Sequence, residues 1–371
     1  MDFDRIYGRA LLLEPLSQEE GVLLYEHAPT SGLIYIASQI RNKFHPGNIV
    51  TWMIDRNINI TNICISGCKF CNFHSRLDGE KGFTTTYEDY RTKIDNMLQL
   101  GGNQLLIQGG MHPEYGLAFY CDLFSRLKSD YPRVRLHALG PPEIVHIARK
   151  ERMSYREVLE KLIKSGLDSL PGAGAEILCD RVRKEISPGK ARTSEWLGVM
   201  SDAHKLGMVT SATMMFGHIE TIGERIAHLI SLRELQSDRP LNAPGFMAFI
   251  PWPFMSEGTE LEKMIKVSPV LPVEYIRTIA ISRIMLNNIE NIQASWLTVG
   301  IETAQVSLHA GANDLGSIMI EENVVSAAGA SVKLSALEMQ CVINEAGFQP
   351  QLRTQDYKFI DLPAIVEKYV G

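Results

Sequence analysis

Cys64-Ile-Ser-Gly-Cys68-Lys-Phe-Cys71 sets three cysteines in a C-x3-C-x2-C spacing, short enough for one loop to gather three thiolates. Three thiolates can ligate three irons of a cubane 4Fe-4S cluster, which leaves the fourth iron open to a small molecule. An electron-transfer ferredoxin normally fills all four positions with cysteine, so three without a fourth point to chemistry at an open iron. The competing reading is a structural zinc site in which His74, three residues after Cys71, completes a Cys3His set. Structural zinc sites mostly take paired ligands from two separate knuckles. Here all the ligands would come from one short loop, which favours the cluster. The scattered Cys121, Cys179 and Cys341 read as small buried apolar residues rather than ligands.

Other candidate contacts follow strand-like runs. Gln108-Gly109-Gly110 offers two glycines that let backbone approach a ligand closely, although a plain strand-to-loop turn uses the same residues. Pro171-Gly-Ala-Gly-Ala-Glu176 exposes backbone and supplies a carboxylate suited to ribose hydroxyls. It lacks the Lys-Ser/Thr pair of a phosphate loop and the dinucleotide spacing. Gly217-His-Ile219-Glu220-Thr221 carries two ionisable side chains, His218 and Glu220, that could serve catalysis or simply be solvated. Trp252 and Trp296 close apolar strands and suit core or pocket wall. Glu321-Glu322-Asn323 reads equally as a helix N-terminal charge pair or as substrate-binding groups.

These motifs need a scaffold that brings strand ends to one face. Strands are expected at Ile49–Ile58, Gln104–Gln108, Val134–Ala138, Leu167–Leu170, Val209–Phe216, Phe246–Pro251, Ile292–Leu297 and, more weakly, Asp314–Ile318. Amphipathic stretches between them predict helices at Tyr87–Leu100, Leu117–Ser129, Ser154–Ser165, Ser194–Leu206, Glu224–Gln236 and Val273–Leu286. That alternation favours an α/β fold, a (β/α)8 TIM-type barrel, over an open doubly wound sheet, and a barrel builds its site at the C-terminal ends of its strands. The expected division is an N-terminal helical segment over residues 1–47, a barrel over 48–332 and a C-terminal helix and tail over 333–371. Ser17 with Glu20, and Ser335 with Glu338, are capping-box pairs that open helices. The stretch from Phe348 reads as Arg/Gln-rich and ends in a short helical tail.

Composition narrows the partners. The 371 residues carry a net charge of −6. That argues against nucleic acid as the main partner, since neutralising phosphates wants a basic face. No apolar run follows a basic start and no long uncharged apolar stretch occurs, so neither a secretory signal nor a membrane span is expected. The cytoplasm is the expected compartment, where disulfides explain a cysteine cluster poorly.

Cys64-x3-Cys68-x-Phe70-Cys71 matches the signature of the radical S-adenosylmethionine (SAM) superfamily, aromatic included. Gly109-Gly110 resembles the paired glycines that hold the methionine end of SAM there. Gly217-x-Ile219-x-Thr221-x-x-Glu224 resembles the motif after the fifth strand, with Thr where Gly is usual. Asp55-Arg-Asn-Ile-Asn-Ile-Thr-Asn-Ile-Cys64, Gly172-x-Gly174-Ala-Glu176-Ile, Met215-Phe-Gly-His218, Ile250-Pro-Trp252, Gln293-Ala-Ser-Trp296 and Glu321-Glu-Asn-Val-Val-Ser-Ala-Ala-Gly329 are similar to the menaquinone (futalosine) branch. Within that branch the cyclic dehypoxanthine futalosine synthases resemble the chain most, from about Leu11 to about Gln355. Asn72, Pro253 and Ala173 depart from the usual Ala, Thr and Gly of that branch.

The resemblance implies an oxidoreductase with a 4Fe-4S cluster on Cys64, Cys68 and Cys71 and with SAM on the open iron. It implies Phe70 near the adenine, Gly109 and Gly110 at the methionine amino group, Glu176 at the ribose and Ile219 meeting the adenine through its backbone. The implied reaction abstracts a ribose hydrogen from dehypoxanthine futalosine and closes a carbon–carbon bond to its benzoate ring. A base must then accept a proton, and His112 and Glu220 are the candidates. The implied partners are a small-molecule substrate and a reductant such as flavodoxin or ferredoxin. Aminofutalosine synthase and the deazaflavin-forming synthase subunit share these features, and a non-enzymatic zinc or iron–sulfur protein is the rival of another class.

Overall fold

Alternating runs of apolar strand formers and amphipathic helix formers fold as parallel strands with helices between them. The computed structural model describes residues 3–77, 79–266, 268–321 and 334–362. Its strands are β1 (Ile49–Met53), β2 (Asp55–Asn59), β3 (Gln104–Gln108), β4 (Arg135–Ala138), β5 (Ser169–Leu170), β6 (Val209–Phe216), β7 (Gly245–Pro253), β8 (Asn291–Ile292), β9 (Asp314–Ser317) and β10 (Gln349–Leu352). Strands β2 to β8 pair in sequence order. A bridge between Gln293 and Asp314 carries the ring from β8 to β9. β9 pairs with β1, and β1 and β2 are consecutive halves of one strand parted at Ile54. The ring therefore closes as an eight-stranded (β/α)8 barrel.

Helices follow the strands where the periodicity places them, with starts fixed by side-chain caps. Thr86 with Asp89, Ser154 with Glu157, Thr221 with Glu224 and Ser335 with Glu338 each form a capping box. Several helices were not expected, among them Pro141–Glu151, Asp180–Ile186 and Ile301–His309; Pro at the first position of Pro141–Glu151 suits a helix start, since the missing N–H would be unpaired there anyway. The strand expected over Ile292–Leu297 is only two residues long, because Trp296–Val299 turns into a helix.

The N-terminal residues form three helices, Phe3–Leu11, Gln18–His27 and Thr30–Phe44. The last buries Leu33, Ile36, Ala37 and Ile40, a 3–4 spacing that makes one apolar stripe. That stripe packs on the barrel helix Pro272–Met285. Full burial of each large aliphatic side chain there contributes roughly 1.5–3 kcal/mol. None of the described helices is long and apolar enough to cross a membrane.

The C-terminal stretch holds a strand that was not expected, while the expected helical tail lies outside the described residues. The strand is β10, along the edge of β1 opposite β9. Pro350 is tolerated because the strand lies at a sheet edge. The chain then turns Arg353 inward, where its Nε and Nη2 donate to Asp314 at 2.6 and 2.8 Å. Gln355 accepts a hydrogen bond from Gln104 on β3 at 3.0 Å. The Arg353 guanidinium lies 3.9 Å over the Tyr357 ring. The tail thus supplies part of the barrel's interior wall.

Candidate active site

The cysteine loop leaves the top of β2 and is tied down on several sides. Cys64 N–H donates to Ser75 O at 3.0 Å, Ile65 N–H to Met111 O at 3.1 Å, and Lys69 N–H to Ile186 O at 2.9 Å. Gly110 N–H donates to Thr61 O at 2.7 Å. The Ser66 hydroxyl lies 2.9 Å from Cys64 Sγ and 3.2 Å from Cys68 Sγ. Met111 N–H donates to Cys64 Sγ at 3.3 Å. Burial pushes the Cys68 thiol up to about 11. Burial also opposes ionisation of Cys71, but hydrogen bonds from His74 and from the Phe73 backbone, together with the Lys190 charge, outweigh it and hold this thiol below its ordinary value.

All three cysteines line one cavity of about 410 Å³ that runs from the barrel mouth inward to Arg353, Gln355 and Tyr357. Phe70, Gly109, Gly110 and Glu176 line it too. Among the described residues no three His, Cys, Asp or Glu side chains close around a single-ion position. His74 uses its Nδ1 on Cys71 O at 2.7 Å. Three thiols on one loop, facing one cavity, are the donor set here. That set fits a cluster, whose separate irons take one sulfur each.

Glycines make room on this wall. A Cβ at Gly110 would sit 2.2 Å from Ile63 O and 2.9 Å from Cys64 Cβ. One at Gly109 would meet Thr61 O at 2.9 Å. Gly110→Ala must therefore displace the cysteine loop, at a cost of about 1–3 kcal/mol. The variant is expected to fold yet to take up well under half the iron of the parent on anaerobic reconstitution, measured by iron analysis.

Opposite the cysteines, Lys190 Nζ donates to Glu176 Oε1 at 2.6 Å and lies 5.0 Å from the Phe70 ring. Burial works against the Lys190 charge, but Cys68 and Glu176 outweigh it and hold the ammonium well above the usual lysine range. Lys190 escaped the sequence reading. Ser187-Pro-Gly-Lys190 signals a turn, but nothing local gives its address. Gly189 N–H donates to Ser66 O at 3.0 Å, and this contact brings the turn against the cysteine loop.

Three expected contacts lie elsewhere. Ile219 is not among the cavity-lining residues; its N–H donates to His218 Nδ1 at 2.8 Å and its carbonyl accepts from Arg181 at 2.9 Å. Both backbone groups therefore have partners within the protein. His112 also lies off the cavity: its ring stacks on Tyr115 at 3.9 Å and its Nδ1 accepts from Glu114 N–H at 3.2 Å. The Glu220 side chain is fully buried away from the cavity, accepting from Gly217 N–H and Arg225 Nε at 2.6 Å each and from His218 N–H at 3.0 Å. Burial opposes its charge, yet His218, Arg225 and Gly217 hold the carboxyl down at about 2. It is a clamp for the turn and not a proton acceptor near neutrality.

The sign of its pH effect follows. Glu220's folded value lies below its ordinary 4.5, so the stability it contributes is complete above that pH and fades as pH falls toward about 2. Glu220→Gln is expected to lose about 3 kcal/mol at pH 7 and to flatten the acid limb of a stability–pH curve measured by urea unfolding.

Further corrections are smaller. Cys341 is exposed, and Cys121 and Cys179 are half-buried, rather than buried as expected. Trp252 and Trp296 both line the cavity. Glu321 accepts from Arg56 at 2.8 Å and pairs with Lys93, so it is a structural anchor; Glu322 and Asn323 lie outside the described residues.

The description "Radical SAM superfamily" matches residues 58–231, and "CofH/MqnC C-terminal region" matches residues 243–366. The chain is 41% identical over 362 residues to cyclic dehypoxanthine futalosine synthase of Streptomyces coelicolor, covering 97% of this chain and 89% of that one. It is 39% identical over 329 residues to 5-amino-6-(D-ribitylamino)uracil–L-tyrosine 4-hydroxyphenyl transferase of Archaeoglobus fulgidus, covering 88% and 93%. Methylornithine synthase shares the fold, with a TM-score of 0.70 at 17% identity over 94% of this chain and 98% of that one.

Proposed function

Because the chain belongs to the radical SAM superfamily, whose enzymes use a 4Fe-4S cluster and SAM, we propose that it is the cyclase that converts dehypoxanthine futalosine to cyclic dehypoxanthine futalosine in menaquinone biosynthesis. The observation that carries this reading is the near-full-length likeness to the Streptomyces coelicolor enzyme, 41% identity over 97% of the chain. The cavity supports it: three thiols at the mouth, a buried ammonium beside them, and an interior of apolar wall with a few polar side chains, large enough for a nucleoside-sized substrate.

Cys64, Cys68 and Cys71 would hold the cluster, and the Lys190 ammonium beside them offsets part of its negative charge. When bound, the reduced cluster supplies the electron that splits SAM into methionine and a hydrogen-abstracting 5′-deoxyadenosyl radical. Gly109 and Gly110 present backbone where no Cβ fits and would meet the methionine amino group. Lys190 would meet the methionine carboxylate, Glu176 the ribose hydroxyls, and the Phe70 ring the adenine. Trp252, Ile250 and Met111 form apolar wall that keeps water from the reacting atoms. The substrate side of the cavity holds neutral polar groups. His137 is kept uncharged, its value lowered to about 3 mainly by burial, and Arg353 is matched by Asp314. That end offers hydrogen-bonding partners for the hydroxyl and carbonyl groups of the substrate. A low-potential reductant of the flavodoxin or ferredoxin kind would serve as partner, with the cytoplasm as the compartment.

A second reading is supported by the 39% identity to the Archaeoglobus fulgidus transferase. Parallel anaerobic incubations with SAM and dithionite separate the two, one with dehypoxanthine futalosine and the other with L-tyrosine and 5-amino-6-(D-ribitylamino)uracil. The cyclase reading expects a product two hydrogens lighter than substrate in the first alone. A coupled product in the second alone would sink it.

A further inference from the structure

Resting on the cyclase reading, we propose that Glu143 is the catalytic base of this site, receiving the proton that leaves the benzoate ring as the new bond is completed. His112 and Glu220 lie off the cavity, so the proton needs another acceptor. Among the described residues the cavity wall holds three carboxylates, Asp55, Glu143 and Glu176. Asp55 accepts from Ser317 and faces Arg353 and Gln104. Glu176 is paired with Lys190 at 2.6 Å. Glu143 is bonded only by backbone amides, its own and that of Gly140, so its outer lone pairs remain available.

Glu143 is 8% exposed, in the first turn of the helix Pro141–Glu151. Gly140 keeps the space before it open, because a Cβ there would lie 3.2 Å from Glu143 Oε2 and 3.0 Å from Ala173 Cβ. The charged and titratable groups facing it are Lys190, Glu176 and Tyr120. Burial dominates and raises the carboxyl to about 7, with Glu176 adding to the rise and Lys190 opposing it. A base of that strength accepts a proton at neutral pH and returns it readily to water.

The balance is simple. Two C–H bonds break and one C–C bond forms. The ribose hydrogen leaves as an atom to the SAM-derived radical. The ring hydrogen leaves as a proton to a Glu143 oxygen, and the remaining electron goes to a one-electron acceptor of the iron–sulfur class.

The test compares the parent with Glu143→Gln, which keeps size and the capping contact, both with bound cluster. The variant is expected to form 5′-deoxyadenosine while cyclised product per deoxyadenosine falls on the order of 10²-fold. The parent's product yield should rise with pH through a limb near 7 that the variant lacks, and Glu143→Asp should recover part of it. Isotope-edited infrared titration, which needs no turnover, should show a carboxyl band titrating in that range in the parent and absent from the variant. An unchanged product ratio and pH limb overturn the proposal. A variant that loses SAM cleavage, with a raised KM for SAM, overturns it in favour of a SAM-holding role. A parent that makes no cyclised product overturns the cyclase reading and this proposal with it; that failure is visible in the parent alone.

Discussion

Cys68→Ala is expected to abolish SAM cleavage, with 5′-deoxyadenosine formation falling on the order of 10³-fold or more, because the cofactor carries the chemistry that side chains cannot. The chain itself should survive the change. Removing one buried thiol costs about 1–2 kcal/mol, small against the core around the barrel. The expected signature is a near-parental unfolding transition with iron and sulfide well below parental after anaerobic reconstitution. Cys121→Ala is the control: its sulfur lies on the helix Leu117–Asp130, not on the cavity, and it should keep full iron. Equal iron loss in both variants would remove the ligand assignment.

Arg353→Met is expected to be the most destabilising single change in the C-terminal stretch. Arg353 is 4% exposed and Asp314 fully buried, and the two make a bidentate pair in the barrel interior. Removing the cation leaves a buried carboxylate held only by Thr51 and the Gly316 N–H. Stranding such a charge costs about 3–5 kcal/mol, read as a lowered urea midpoint at pH 7. Pairing it with Asp314→Asn removes the charge and should recover most of that loss. An unchanged midpoint in the single variant would mean that the tail does not hold the barrel interior as described. Because Arg353 and Tyr357 also line the cavity, the single variant should raise the substrate KM more than the KM for SAM.

What the sequence made legible was local. Strand and helix alternation follows from apolar period and from caps such as Thr86 with Asp89, which act within a few residues. The cysteine spacing and the paired glycines are likewise local, and the fold brings Cys64, Cys68, Cys71, Gly109, Gly110, Phe70 and Glu176 to one cavity. Groups whose meaning is a distant address were not legible. Lys190 reaches the cysteines only because its turn binds Ser66, and Arg353 reaches Asp314 only because a short polar segment adds to β1. Gln349-Pro-Gln-Leu352 has no alternating apolar pattern, so a strand there could not be read. In the segment Gly217–Glu224, whose residues resemble a cofactor motif, Thr221 and Glu224 cap a helix and Glu220 clamps the turn, local roles that the motif alone did not show. Glu143 was hidden because a carboxylate in the first turn of a helix is so often only a cap.

The central claim, radical cyclisation of a nucleoside-linked benzoate, is tested most directly by a single turnover with substrate deuterated on the ribose. The reconstituted protein, SAM and dithionite are mixed anaerobically with labelled dehypoxanthine futalosine, and both products are weighed by mass spectrometry. The account predicts one deuterium in 5′-deoxyadenosine, in an amount matching cyclised product that has lost that deuterium and one ring hydrogen. Unlabelled deoxyadenosine with the substrate returned intact would contradict it.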